Sequence, residues 1–422
     1  MMKRYEEYKE SGVSWLGYIP SHWKCKKIDS LFKERSTKVS DKEYKPLSVT
    51  KIGIIPQMDN VAKSDAGDNR KLVCDGDFVI NSRSDRKGSC GISNLIGSVS
   101  LINTVLTPRK NINKDFLHFL LRSIPFSEEY YRNGRGIVSD LWTTRYSEMK
   151  SIYLPIPTTK EQKGIVEFLH NKIINIDKCI AVKEEQINAL RMLKESYISE
   201  TVVNKNSKIE HSKDGWSEVK IGKTAYIRSR LGWKGLKASE YVDFGYPFLS
   251  AYNIIDNELK WKNLSYINSK RYEESPEIKL KKGDIILVKD GAGIGKCARI
   301  DELPYGDSTV NGSLAVITTG DKFYYKFLYY YLTSIHFKNA ANRIITGMGV
   351  PHLTQHFLKN LTVPLPPLRI QKLIAEELDE QSIKISKMIL HKKTEIDKLK
   401  ELKMSLISDV VIGKINVTDF VI

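Results

Sequence analysis

The chain is written twice, and that duplication limits its possible folds more than any other feature. Residues 151–204 align with 360–413 without a gap at a constant offset of 209, with 20 identities in 54 positions. The pairing opens with Pro155 and Pro157 over Pro364 and Pro366 and continues through Gln162/Gln371 and Lys183/Lys392. It closes at Ser199/Ser408 and Val202/Val411. Ahead of each copy lies a longer, more divergent segment with weaker echoes. Trp23–Ile28 stands against Trp216–Ile221, DGDFVINSR (75–83) against KGDIILVKD (282–290), and Phe116–Arg122 against Phe323–Thr333. Each half therefore reads as a variable globular domain of about 150 residues followed by a long helix.

The helices are well signalled. After Pro155 and Pro157 the apolar positions are Ile165, Leu169, Ile173, Ile176, Ile180, Ile187, Leu190 and Tyr197; the second copy has Ile374, Leu378, Ile385, Ile389, Ile396, Leu399 and Leu406. Steps of three, four or seven are the seam of a coiled coil, and prolines just before the start fix the entry without breaking the interior. Both copies place a lysine, Lys183 and Lys392, where the next seam residue is expected. It either sets the register or carries its stem past the seam to water. Between Tyr44 and Leu106, and again between Gly245 and Ile317, short apolar runs alternate with Gly, Asp and Asn turns. Those runs predict strands. The expected fold is α+β: two globular domains, mostly antiparallel sheet, at 1–157 and 205–365, with long helices at 158–204 and 366–413 and a tail at 414–422.

Lys plus Arg number 67 against 50 Asp plus Glu, a net charge of +17, which favours a polyanionic partner, nucleic acid first. Five scattered cysteines, Cys25, Cys74, Cys90, Cys179 and Cys297, never form a CxxC pair, so a reducing cytoplasm is expected. The charged start MMKRYEEYKE does not resemble a signal peptide, and the most apolar run, 323–337, is too short to span a bilayer.

Catalytic patterns fail on inspection. Asp290-Gly-Ala-Gly-Ile-Gly-Lys-Cys297 lacks the first glycine of a phosphate loop and has Cys297 in place of the hydroxyl, so a tight glycine turn near a DNA phosphate is the better reading. Glu277-x-Lys279 is half of a nuclease pattern whose acidic partner would have to be Asp256. The only Pro-Pro, Pro366-Pro367, is followed by Leu368 rather than by the aromatic of an amino-methylation loop. The histidines form no HExxH, and no metal site is expected.

Trp15-Leu-Gly-Tyr-Ile-Pro20-Ser-His-Trp23, and the Pro-x-Pro-x-x-x-x-Gln junction that leads into each helix, resemble the specificity subunit of type I restriction–modification systems. The order of domain, helix, domain, helix extends the resemblance over essentially the whole chain. One departure is visible: Glu161-Gln162 at the first junction becomes Ile370-Gln371 at the second. The resemblance implies two target-recognition domains, each reading one half of a bipartite, asymmetric site in double-stranded DNA. It implies antiparallel pairing of the helices about a pseudo-twofold axis. Two modification subunits would dock on the helices and use S-adenosylmethionine, and restriction subunits would use ATP and Mg. This chain would be non-catalytic, carry no cofactor and contact no membrane. The helix pair would act as a ruler, so that inserting a heptad changes the unread spacer.

Base edges are read by donors and acceptors on loops, phosphates by Lys, Arg and backbone N–H groups. In the first domain the candidates are Asn81, Ser82, Arg83, Arg86 and Lys87, with a second cluster at Arg132, Arg135 and Arg145. In the second they are Tyr252, Asn253, Lys289, Lys296, Arg343, His352 and Thr354. A free-standing modification enzyme is disfavoured by the missing methylation loop, and a coiled-coil scaffold by the basic charge and the two large domains. A silent specificity cassette remains open.

Overall fold

The structure, a computed structural model, describes residues 3–57, 67–109, 112–136, 142–203, 215–231, 236–291, 293–345 and 352–417. It divides into two compact units, 1–183 with 393–422, and 184–392. This partition differs from the serial layout expected above, because each long helix starts in one unit and ends in the other.

In the first unit the strands used below are β1 (Lys24–Lys27), β2 (Phe32–Glu34), β3 (Phe78–Asn81), β4 (Cys90–Ile92), β5 (Asn103–Pro108) and β6 (Tyr153–Ile156). Four of them form an antiparallel sheet in the order β4-β3-β5-β2, with Thr104 opposite Ile80 and Leu106 opposite Glu34. Two helices follow, α1 (Lys114–Arg122) and α2 (Ile124–Arg132). Asn113 caps α1 by accepting from the Asp115 and Phe116 N–H groups, and Ser123 ends α1 while capping α2. β1 pairs with β6, so Pro155 and Ile156 end a strand and Pro157 leads from it toward α3 (Thr159–Thr201).

The second unit repeats the frame with β7 (Ser217–Lys220), β8 (Ala225–Arg228), β9 (Asp284–Val288), β10 (Cys297–Arg299), β11 (Leu314–Thr319) and β12 (Thr362–Leu365). The sheet order β8-β11-β9-β10 matches that of the first unit read from the other edge. Helices α4 (Tyr325–Thr333) and α5 (Ile335–Ile345) correspond to α1 and α2, and β7 pairs with β12 ahead of α6 (Leu368–Val411). Each unit also carries a smaller three-stranded sheet. In that of the second unit, Tyr246–Leu249 pairs in parallel with Thr309–Val310.

The Gly-Asp turns that the two halves share are explained by a buried cluster. Asp77 accepts from Arg35 Nε (2.7 Å), Thr107 Oγ1 (2.9 Å) and the Cys74 N–H (2.8 Å). Asp284 accepts from Arg228 Nη2 (2.7 Å), the Lys281 N–H (2.8 Å) and the Thr318 hydroxyl. A buried carboxylate with three donors is satisfied, and it ties the first strand of each sheet to its centre.

The junction glutamines act as matching fasteners. Gln162 donates to the Pro157 carbonyl (3.0 Å) and accepts from the Asn113 N–H (2.9 Å). Gln371 donates to the Pro366 carbonyl (2.8 Å) and accepts from the Tyr324 N–H (2.8 Å). Glu161 completes a capping box with Thr158 and also receives Trp23 Nε1 (3.1 Å) and His22 Nε2 (2.8 Å). Burial works against its ionisation, but the hydrogen bonds from His22, Trp23 and Thr158 prevail and hold its pKa below the ordinary value. Where Ile370 stands in its place, the buried indole N–H of Trp216 has no hydrogen-bond partner among the described residues.

The helix ends complete the cores. Leu406, Val410, Val411 and Ile412 join Trp23, Phe116, Phe126 and Tyr130 in the first unit, while Ile198 and Val202 join Phe327, Leu332 and Phe337 in the second. Ser408 Oγ accepts from the Ile124 N–H (3.4 Å) and Ser199 Oγ from the Ile335 N–H (2.9 Å), the same bond made in each unit by the other repeat's helix. The segment expected as a tail is packed as far as Val417: Val417 is fully buried, and the Asn416 N–H donates to the Lys3 carbonyl (2.9 Å). Gly413 allows this turn, having φ +83° and so little room that a Cβ would meet Pro20 at 2.5 Å.

Every expected seam residue is buried or half-buried: Ile165, Leu169, Ile176, Ile180, Ile187 and Leu190 on α3, and Ile374, Leu378, Ile385, Ile389, Ile396 and Leu399 on α6. Pairing is antiparallel within each unit. Asp177 meets Lys403 (2.7 Å) and Lys183 meets Glu395 (2.9 Å) in the first, while Lys194 meets Ser386 (3.2 Å) and Tyr197 meets Glu377 in the second. Lys183 thus carries its stem along the seam to an ion pair.

Candidate nucleic-acid interface

In the first unit the chain leaves β3 at Asn81 and enters a short helical turn, Ser84–Arg86. Thr143 bridges both Arg83 and Arg135: the Arg135 N–H donates to the Thr143 carbonyl (2.9 Å) and the Thr143 N–H donates back (3.0 Å). The Ser84 N–H donates to the Trp142 carbonyl (3.0 Å) and the Thr144 N–H to the Ser82 carbonyl (2.9 Å). Two clusters about 50 residues apart in sequence therefore become one face, with Arg83, Arg86, Lys87, Arg132, Arg135 and Arg145 all exposed. Lys87 pairs with Glu128 (2.6 Å) and Arg132 with Glu129, whereas Arg83, Arg135 and Arg145 form no ion pair among the described residues.

Asn81 and Ser82 do not belong to that face. Both are buried; Asn81 Oδ1 accepts from the Arg83 N–H (3.1 Å) and the Ser82 hydroxyl donates to the Ile102 carbonyl. Their polar groups shape the turn that presents Arg83. The sequence reading missed the tyrosines behind it. Tyr130 donates to the Thr144 carbonyl (2.7 Å) and Tyr131 to the Asn81 carbonyl (3.2 Å), pinning both loops to α2.

In the second unit the same place is built from other residues. Asp290 bridges His352, and the Leu353 N–H donates to the Lys289 carbonyl (2.9 Å). Lys289 Nζ lies 2.6 Å from Asp290 Oδ2, and His352 Nδ1 contacts Oδ1. Partial burial opposes ionisation of Asp290, but the Lys289 and His352 hydrogen bonds outweigh it and hold the carboxyl below its usual range. Lys296 and Arg343 are exposed. Tyr252 is 93% exposed, whereas its neighbour Asn253 is 6% exposed, accepts from the Ser250 N–H (2.9 Å) and is a turn residue. Thr354 caps a short helix by accepting from the Phe357 N–H (3.1 Å).

The glycine-rich segment 290–297 joins β9 to β10. The N–H groups of Ile294, Gly295 and Lys296 donate to Gly291 (3.2 Å), Val288 (2.8 Å) and Gly293 (3.0 Å). They are consumed inside the turn and do not form a phosphate cradle. Among the described residues no group of three His, Cys, Asp or Glu could hold a metal ion, and no helix is long and apolar enough to cross a membrane.

A family profile described as the type I restriction modification DNA specificity domain matches residues 20–192 and 213–400. The chain belongs to that family. It carries two recognition domains, one per repeat, and both matches run on into the long helices. The chain is 27% identical over 279 residues to the MjaVIII type I restriction enzyme specificity subunit of Methanocaldococcus jannaschii, covering 64% of this chain and 63% of that one. A putative MjaX specificity subunit of the same organism is 22% identical over 443 residues, covering 97% of this chain and 98% of that one. A solved chain from work on complex assembly and conformational transition of the type I R-M system shares the fold. It matches with a TM-score of 0.67 and 16% identity, covering 94% of this chain and 99% of that one.

Proposed function

We propose that the two recognition domains each read one half of a bipartite, asymmetric duplex site, while α3 and α6 set the unread spacer and dock two modification subunits. The observation that carries this reading is the matched pair of loop faces: one frame, built twice, presents different exposed side chains at the same place. Two different heads on a repeated frame call for a site with two different halves. The +17 charge supplies the sequence-independent attraction to phosphates. Docking by two copies of one partner fits Ile174/Ile383 and Leu193/Leu402, identical across the repeat and each more than half exposed. Methyl transfer from S-adenosylmethionine belongs to those partners, and ATP- and Mg-dependent cleavage to restriction subunits. This chain recognises DNA in the cytoplasm and performs no chemical step.

The test is to replace residues 1–157 by the corresponding domain of another specificity subunit and map methylated sites with the modification subunits present. One half of the motif changes while the other half and the gap persist. Change in both halves, or in neither, would refute the assignment.

A further inference from the structure

The repeat allows the two loop faces to be compared position by position. Aligning DGDFVINSR with KGDIILVKD sets Arg83 against Asp290, and aligning the junctions sets Thr143 against His352. The structure bears out both equivalences at once, since Arg83 bridges Thr143 and Asp290 bridges His352, each just past the end of a central strand. Helices α2 and α5 give a third pair, Arg132 and Arg343, eight residues into each helix. One equivalent position therefore keeps its chemistry between the heads, and another inverts it from a guanidinium to a carboxylate.

We propose that Arg83 and Asp290 are the base-reading residues of the two heads, Arg83 taking a guanine and Asp290 a base with an exocyclic amino group, while Arg132 and Arg343 hold phosphates. This rests on the bipartite reading above. A phosphate presents the same negative charge in both half-sites, so a contact to it is served by the same cation in both heads. Base edges differ, so the residue reading them must differ. Arg83 is exposed and forms no ion pair among the described residues, leaving its donor fork available for guanine O6 and N7. Asp290 can only accept, which suits the amino group of cytosine or adenine. A lone carboxylate would be repelled by the DNA backbone. Here Lys289 and His352 each hold one oxygen, neutralising the charge and fixing the group's orientation, while further lone pairs stay open. His352 is thus a positioning residue.

The test is selection of bound duplexes from a randomised pool by the full chain with its modification subunits. Arg83→Lys keeps the charge and loses the fork, so the wild-type guanine becomes degenerate at one position of one half-site, with discrimination falling roughly tenfold. Asp290→Ala relaxes one position of the other half-site only. Arg132→Ala and Arg343→Ala weaken binding to all sequences and leave the motif unchanged. If the first two variants select the wild-type motif, or if an Arg132 or Arg343 variant changes it, this assignment is overturned while the bipartite reading stands. If the wild-type chain selects no split motif, both fall.

Discussion

In the first unit the His118 ring lies between the Ile92 N–H, 3.3 Å from Nδ1, and the Arg122 guanidinium, 3.0 Å from Nε2. Burial first, and the Arg122 charge second, lower its pKa from 6.5 to about 4. A histidine whose folded pKa is depressed contributes stability that is fully present above pH 6.5 and is lost as pH falls toward 4, on the order of 3 kcal/mol. Position 329 of α4, which corresponds to 118, holds a tyrosine with no such titration. Hydrogen exchange followed from pH 7 to pH 4 will therefore show the first unit loosening before the second, and His118→Gln will remove that difference. Equal loosening in both units would show that His118 does not control it. At this scale the sequence was a partial guide. Arg83 was legible as a polar group after a strand and His352 as one ahead of the final junction, but Asn81, Ser82, Asn253 and Thr354 were read in the same way and proved to bond the nearby backbone. Short polar side chains serve turns and caps as readily as ligands, and only coordinates separate the two uses.

At the scale of elements, the proline-flanked junctions and the helices were legible because their signals are local: a fixed φ, a repeated glutamine and a seam of period 3.5. What no local signal carried was where each helix ends up. Leu406, Val410 and Val411 continue the seam of α6 without interruption, yet they complete the core that contains Trp23 and Phe116. A seam residue and a core residue are both simply apolar, and the contact that distinguishes them spans almost the whole chain. Leu406→Ala should therefore destabilise the first unit by about 2–5 kcal/mol through a cavity, although it lies in the second repeat. Unit-resolved hydrogen exchange checks this, and loss of protection confined to 184–392 would contradict it. The Glu161-to-Ile370 difference has a visible consequence as well: Trp23 donates to Glu161, whereas among the described residues the indole of Trp216 has no acceptor.

For the whole molecule, duplication made the architecture legible from an offset of 209, whereas the exchange of helix ends between the units was not, because alignment shows which segments match and not what they pack against. Helices of 43 and 44 residues with matched seams suit a ruler, provided both change together. One heptad added to each at paired positions lengthens the pair by roughly 10 Å, about three base pairs. The decisive measurement is the methylation map of DNA from cells carrying the modification subunit with either the wild-type chain or this lengthened one. A split, asymmetric motif is expected whose two halves are identical in both maps, with a gap about three base pairs wider in the second. A contiguous motif, or an unchanged gap in the lengthened chain, would contradict it.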